Sequence, residues 1–308
     1  MNGSFQTILE RVGNTPLVEL RGSAPKPGVR LFAKLEYMNP SGSLKDRIVK
    51  FILEKAVREG ALNPDKIVVE ASSGNTGIAM GLIASTMGFR SRVYMPSSKS
   101  RERRIMMNFY GVELVLTAAD NPHSHIEACE ELVRHDAERY FYLNQNGNEN
   151  NSQAHYEGTG REILTDMGDE AIDVFLAGLG TGGVLMGVGR RLKEADSRTR
   201  IIAVEPTQGI SRIEGLLHLD GSYVPPIWHE TQVDDHLYVP DEAAEEYTRL
   251  LARKEGIFAG ISSGANYWAA LQVAERLETG NIVFVCGDRG ERYLSTPMCE
   301  GMDQGVDL

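Results

Sequence analysis

The chain has 308 residues, 42% of them hydrophobic, which is enough to bury one large core or two medium ones. Its net charge of −11 at pH 7 argues against nucleic acid or an anionic membrane surface as a partner, because both require a positive patch. No apolar run approaches the roughly 20 residues of a bilayer-spanning helix, and the first residues do not have the pattern of a signal peptide.

Strands and helices alternate along most of the chain, joined by short polar turns. The predicted strands are 16–20, 29–35, 66–71, 92–95, 112–116, 140–143, 173–179, 200–205 and 281–286. The predicted helices are 6–12, 46–59, 76–87, 100–110, 122–139, 153–167, 184–195, 241–255 and 264–277. Such alternation predicts an α/β fold with parallel-rich sheets flanked by helices on both faces.

Two segments interrupt this rhythm. Residues 144–152 are polar, contain five Asn and one Gln, and are interpreted as a crossing between domains that also serves as a ligand loop. Residues 207–235 are irregular. We therefore expect a smaller α/β domain at 38–148 and a larger one formed by 1–37 together with 149–308.

Cysteine and histidine usage gives little sign of a metal or a disulfide framework. Cys129, Cys286 and Cys299 are far apart and odd in number, so a reducing cytoplasm is the expected location. His123 and His125 have no third ligand at a useful spacing, so no metal is predicted.

Lys45 is the first candidate for chemistry. It follows a Pro- and Gly-containing turn and comes at the start of a predicted helix, where the positive end of the helix dipole makes an ammonium less favourable. A lysine that loses its proton readily can form a Schiff base with the aldehyde of pyridoxal phosphate. The alternative is an ordinary solvated lysine.

Three further loops could bind an anion or a cofactor: two connect a strand to a helix, and the third precedes a helix. Residues 72–77 offer hydroxyls and backbone N–H groups at a helix N-terminus, although an ordinary capped turn would look the same. Residues 178–183 satisfy GxGxxG, and Glu205 ends the next strand, so a dinucleotide-binding dehydrogenase is an alternative. In residues 260–264, the hydroxyl of Ser262 either caps its helix or meets a cofactor nitrogen.

The order and spacing of these stretches resemble the cysteine synthase family of pyridoxal phosphate enzymes, which also contains cystathionine β-synthase. The resemblance implies the two-domain fold-type II architecture, which is tryptophan synthase β-like. It extends over nearly the whole chain and is carried by residues 13–17, 39–47, 72–77, 144–145, 178–183, 260–264 and 290–296.

The resemblance also implies a role for each matching residue. Lys45 would be the Schiff-base lysine, Asn75 the partner of the cofactor's 3′ oxygen, and Ser262 the partner of the pyridine nitrogen. The phosphate cradle would be Gly180, Thr181, Gly182, Gly183 and Val184. The substrate carboxylate would be bound by Ser72, Ser73, Thr76 and Gln145. Because a serine carries no charge to hold the pyridine nitrogen protonated, loss of a β-substituent is favoured over accumulation of a delocalised carbanion.

The activity implied is β-replacement: O-acetyl-L-serine and sulfide give L-cysteine and acetate through an aminoacrylate. A homodimer and a serine acetyltransferase partner are also implied. Relatives that use O-phosphoserine place arginine at the positions of Leu217 or His218, which favours O-acetylserine here, although Arg212 is close enough in sequence to substitute. Cystathionine synthesis remains open, as does a catalytically silent binding protein on the same fold.

Departures from the family pattern are few. Val184 and Ser72 both stand where the family commonly has threonine, and Asn146 stands where an aromatic residue is common. The stretch 286–290 is closer to the B-type cysteine synthases than to the A-type.

Overall fold

The computed structural model describes residues 7–23, 26–72, 74–118, 124–221 and 223–302. The strands in these residues are β1 (Leu17–Glu19), β2 (Val29–Leu35), β3 (Ile67–Ala71), β4 (Arg90–Pro96), β5 (Glu113–Thr117), β6 (Tyr140–Tyr142), β7 (Val174–Gly178), β8 (Arg200–Pro206), β9 (Asp235–Val239) and β10 (Gly280–Cys286). The α-helices are α1 (Lys45–Arg58), α2 (Asn75–Thr86), α3 (Arg101–Phe109), α4 (Ser124–His135), α5 (Asn150–His155), α6 (Arg161–Met167), α7 (Gly183–Ala195), α8 (Asp241–Glu255) and α9 (Ile261–Arg276).

The strands form two sheets. One has six strands in the order β1-β2-β10-β7-β8-β9, in which every neighbouring pair is parallel except β1 and β2. The other has four parallel strands in the order β5-β4-β3-β6. Because the carboxyl ends of parallel strands lie at one edge of a sheet, the loops that follow them provide the natural ligand site of this fold.

Side chains that alternate along each strand pack against helices on opposite faces. In the six-stranded sheet, Phe284 packs with α8 and α9, whereas Val283 and Val285 pack with α7. In the four-stranded sheet, Val68 packs with α1 and α2, and Val69 packs with α4. Both faces are therefore covered, which explains why the strands have continuous apolar runs rather than alternating ones.

A buried ion-pair network fixes the start of α1. Arg47 donates to both carboxylate oxygens of Glu36 at 2.6 and 2.7 Å and to both of Glu162 at 2.7 Å. Lys34, which is completely buried, lies 3.1 Å from Glu162 and 3.0 Å from Asp166. The network ties α1 to strand β2 and helix α6.

Several predicted ends are shifted, among them the start of α9, at Ile261 rather than 264, and the end of α4, at His135 rather than 139. Three differences have a clear physical reason. Strand β9 was not predicted, because its polar residues Asp235 and His236 continue the irregular composition of 207–235. The predicted helix 153–167 begins earlier, at Asn150, and contains a π-helical turn at Tyr156–Gly160, where two glycines favour irregular packing. The first predicted helix is a 3-10 turn at Ile8–Arg11, and its predicted start at residue 6 lies outside the described residues.

Within the described part of the chain, we find no helix both long enough and apolar enough to cross a membrane.

Candidate active site

Lys45 lies in a cavity at the carboxyl ends of strands from both sheets. It is the first residue of α1, and the cavity around it is also lined by Asn75, Ser262, Asp288 and the loop between β7 and α7. Burial lowers the pKa of the lysine to about 8, against the attraction of Glu70 and Asp288. Lys45 begins a helix, as predicted, but its lowered pKa is caused by burial and not by the helix dipole.

Asn75 and Asp288 form a polar contact on the wall of this cavity. The Nδ2 of Asn75 donates to Asp288 Oδ2 at 2.6 Å, and the hydroxyl of Tyr293 donates to the same oxygen at 2.8 Å. The Oδ1 atoms of Asn75 and Asp288 are both buried and have no hydrogen-bond partner in the described residues. Buried polar atoms are normally satisfied, so this wall is suited to a polar ligand.

The glycine-rich loop after β7 leads into the N-terminus of α7, and its backbone is not covered by side chains. Gly182 has a left-handed φ of +87°, and a Cβ on Gly180 would lie 2.6 Å from the carbonyl oxygen of Gly215. A Cβ on Gly183 would lie 1.9 Å from Asn151 Oδ1. A side chain larger than that of glycine would clash at these two positions. The backbone N–H groups and the positive end of the helix dipole favour an anion here.

Asn151 supports the loop from outside. Its Nδ2 donates to Thr181 Oγ1 at 2.9 Å and to the carbonyl oxygen of Gln145 at 2.8 Å. The asparagine therefore joins the glycine loop to the segment that follows β6. The sequence analysis did not single it out from its polar neighbours.

Ser262 lies in the first turn of α9 and lines the same cavity. The helix begins at Ile261 with Gly260 as its N-cap, so Ser262 lies inside the first turn and not at the capping position. Its side chain is among those that line the cavity where a ligand would bind.

An outer cavity of about 370 Å³ adjoins the first and shares Lys45 and Asn75 with it. Thr76 donates to Gln145 Oε1 at 2.5 Å, and the hydroxyl oxygen of Ser72 accepts from the N–H groups of Gly74 and Gly77. Ser72, Thr76 and Gln145 thus line one wall together. Ser73, the fourth residue predicted to bind substrate, lies outside the described residues.

Glu70 is a buried carboxyl near Lys45 that the sequence analysis missed. It accepts from the N–H groups of Ala71 at 2.8 Å and Gln145 at 3.0 Å, and burial raises its pKa to about 8. The available signal was a charged residue inside the otherwise apolar strand Ile67–Ala71. Asp288 gave a similar signal, because it follows the buried strand β10 after a single glycine.

The alternatives based on Glu205, Arg212 and the histidine pair find no support. Glu205 is buried and accepts from Leu219 N at 2.8 Å, with His236 Nδ1 at 2.5 Å, so it cannot reach a ribose. Arg212 pairs with Glu242 and Glu245 on α8, at 2.9 Å each, so the suggestion that it could serve the substrate loop is wrong. His123 lies outside the described residues, and those residues contain no group of three or more metal-ligating side chains.

The chain is similar to known proteins over nearly its whole length. Residues 8–288 match the family model described as pyridoxal-phosphate dependent enzyme. A cysteine synthase of Aquifex aeolicus is 40% identical over 306 residues, covering 97% of this chain and 93% of that protein. The fold also matches many solved structures, two of which are described next.

One is an O-ureido-L-serine synthase, with a TM-score of 0.93, 35% identity and coverage of 99% of this chain and 98% of that one. The other is a cysteine synthase of Entamoeba histolytica, with a TM-score of 0.91, 36% identity and coverage of 99% and 94%. These matches confirm the resemblance and the fold class that the sequence predicts. The chain belongs to the pyridoxal-phosphate-dependent enzymes, and within them to the cysteine synthase family.

Proposed function

We propose that the protein replaces the acetoxy group of O-acetyl-L-serine with sulfide to give L-cysteine and acetate. The observation that carries the proposal is the convergence of the Lys45 amine, the Asn75 side chain, the Ser262 hydroxyl and the glycine loop on one cavity. These groups come from four separate parts of the chain, and each has the chemistry that one part of pyridoxal phosphate requires.

The residues of this cavity fit the cofactor. The Lys45 amine matches the aldehyde carbon, and the loop from Gly180 to Val184 matches the phosphate, with the Thr181 hydroxyl held by Asn151. The Asn75 side chain is assigned to the 3′ oxygen, and the Ser262 hydroxyl, which lines the same cavity, to the ring nitrogen. When bound, the cofactor supplies an electron sink for chemistry at the α-carbon of an amino acid.

The protein's own groups then bind the amino acid and move its proton. Ser72, Thr76 and Gln145 offer hydroxyl and amide groups to the α-carboxylate, and we include Ser73 in this set on the sequence pattern. Lys45, with its pKa near 8, takes the proton from the α-carbon as acetate leaves from the β-carbon. Glu70, the buried carboxyl near the lysine, accepts the N–H of Gln145 and so holds this residue in place.

The leaving group is best matched by a neutral ester. Leu216 and Leu217 line the outer cavity, Arg212 is engaged on α8, and Lys99, a cation of the same cavity, is paired with Glu214 at 3.4 Å. A dianionic phosphate needs a close cationic partner. O-acetylserine therefore remains the preferred substrate over O-phosphoserine.

We extend the proposal to the organisation of the protein. The two sheets support a smaller domain at 38–148 and a larger one at 1–37 plus 149–308. A homodimer, a serine acetyltransferase partner and a cytoplasmic location follow from the family resemblance, and the three free cysteines agree with a reducing compartment.

The test compares the purified enzyme with its Lys45→Ala variant. The wild-type enzyme should carry the yellow cofactor through a bond that borohydride fixes to Lys45, and should release acetate from O-acetylserine when sulfide is added. Lys45→Ala should lose both properties while its thermal unfolding stays close to wild type. Acetate release by Lys45→Ala at the wild-type rate would refute the assignment.

A further inference from the structure

Glu205 is a buried carboxylate near the end of β8 that the proposed reaction does not use. Its side chain is 1% exposed, and its Oε2 accepts from the N–H of Leu219 at 2.8 Å. Its other oxygen, Oε1, lies 2.5 Å from Nδ1 of His236. Because a buried charge is costly unless it is paired, these two contacts are what stabilise the carboxylate inside the fold.

His236, on β9, lies between two carboxylates. Its Nε2 is 2.8 Å from Oε1 of Glu230, whose other oxygen accepts from Trp228 Nε1 at 2.9 Å. A carboxylate oxygen only accepts, so when both carboxylates are ionised both ring nitrogens of His236 donate and the ring is positively charged. The ring of His218 is less close, with its Nδ1 3.6 Å from Oε2 of Glu205, which is too far for a hydrogen bond. His236 is therefore the close cation of the buried carboxylate.

The N–H group that the buried carboxylate binds ends a loop, residues 214–219, that lines the site. The first four residues of this loop line the outer cavity, and the first three also line the cavity of the reactive lysine. The N–H of Leu217 donates to the carbonyl oxygen of Leu179 at 2.6 Å, and the carbonyl oxygen of Gly215 would lie 2.6 Å from a Cβ on Gly180. The loop thus lies against the proposed phosphate cradle and is anchored at its far end by the carboxylate.

We propose that Glu205 and His236 are positioning residues that hold the 214–219 loop closed over the site. The inference rests on the proposed function, because the loop lines the cavity assigned to O-acetylserine. Neither residue of the pair lines that cavity, so the pair acts through the loop. Without the histidine cation, the buried carboxylate would be stabilised by water, which reaches it when the anchor at Leu219 opens.

The experiment compares wild type with His236→Phe, which keeps a ring beside Trp228 and Tyr238 but removes both ring N–H groups. Hydrogen–deuterium exchange at the Leu219 amide should be slow in wild type and about tenfold faster in the variant, the effect of one charged hydrogen bond. The KM for O-acetylserine should rise severalfold while kcat changes little, because an open loop weakens substrate binding and leaves the reacting groups in place.

A second substitution should rescue the variant. In the double variant His236→Phe with Glu205→Gln, the amide oxygen can still accept from Leu219, and no buried charge remains to be hydrated. Exchange at Leu219 and the KM for O-acetylserine should therefore return to near wild-type values. His135→Phe is the matched control, because His135 lies 3.7 Å from Glu131 on the exposed face of α4, and it should behave as wild type.

Several results would overturn the inference. Wild-type exchange at Leu219 as fast as in an unstructured peptide would do so without any variant. Unchanged exchange in His236→Phe, faster exchange with an unchanged KM, or a double variant that restores neither would do the same. If His236→Phe does not fold, a folded double variant with slow exchange at Leu219 supports the inference, and an unfolded or rapidly exchanging one overturns it.

The outcomes separate the inference from the proposed function. A wild-type enzyme that releases no acetate from O-acetylserine and sulfide refutes the proposed function and leaves the exchange measurements valid. Absorbance titration of the apoenzyme with pyridoxal phosphate then replaces the steady-state assay. Cofactor binding that is severalfold weaker in His236→Phe and restored in the double variant supports the inference, and equal affinities overturn it.

Discussion

Helix α7 carries glycines that the structure places in different surroundings, and substitution by alanine should therefore have different effects. A Cβ on Gly183 would lie 1.9 Å from Asn151 Oδ1, whereas ordinary contacts begin near 3.4 Å. Asn151 would have to move by about 1.5 Å, the difference between these distances. A shift of this size displaces the whole amide group and disrupts its bonds to Thr181 and Gln145, now 2.9 and 2.8 Å.

Each of these bonds contributes about 1 kcal/mol, so Gly183→Ala should disorder the glycine loop at a cost of about 2 kcal/mol. We expect this cost to appear in cofactor affinity, with the dissociation constant of pyridoxal phosphate raised about 30-fold. Absorbance titration of the apoenzyme with the cofactor measures it.

Gly189 on the same helix provides the matched control. A Cβ there would lie 3.3 Å from the side chain of Ile201, which needs a shift of only a few tenths of an ångström. Gly189→Ala should therefore keep wild-type cofactor affinity. Equal affinities for wild type, Gly183→Ala and Gly189→Ala would refute the assignment of the loop as the phosphate cradle.

Three further results are expected. Burial would raise the pKa of Glu162, but Arg47 and Lys34 hold it at about 2, below the ordinary 4.5. The ionised carboxylate should therefore contribute up to about 3 kcal/mol to the free energy of unfolding above pH 4.5, and this contribution should be lost as the pH falls toward 2. Urea unfolding of Glu162→Gln should show lower stability at pH 7 and a smaller loss of stability on acidification. Because the neutral amine of Lys45 is the reactive form, the rate of cofactor attachment to the apoenzyme should rise with pH and level off above about 8. A rate that does not depend on pH between 6 and 8 would contradict the lowered pKa. Arg212→Ala should leave the KM values for O-acetylserine and O-phosphoserine unchanged in steady-state assays, since this arginine pairs with α8; a selective rise for O-phosphoserine would show that it reaches the substrate.

Much of the fold was predictable because its strands and helices have clear local patterns. Helix α8 and strand β2 were predicted to the residue, and the loops after β3 and β7 were recognised from their glycines and hydroxyls. Strand β9 was missed because it lies at the edge of its sheet, where a strand can be polar and half exposed.

The supporting residues of the site could not be found in the same way. Asp288 meets Asn75 across 213 positions of sequence, and Asn151 meets Thr181 across 30. Such contacts depend on how the two sheets pack together, and the spacing of apolar residues along the sequence does not reveal this packing. The ion pairs of Arg212 could not be predicted either, because its partners on α8 follow it by about 30 residues.

The ion-pair network around Arg47 also restrains the backbone that bears the reactive lysine. Arg47 lies two positions after Lys45, and its guanidinium is held by carboxylates from two different parts of the chain. The peptide that bears the amine can therefore open only when those carboxylates are released, which amounts to unfolding a large part of the molecule. Backbone amides in the first turn of α1 should be among the slowest in the protein to exchange with deuterium. Motions during catalysis should then occur in the loops around the lysine and not in the backbone that bears it.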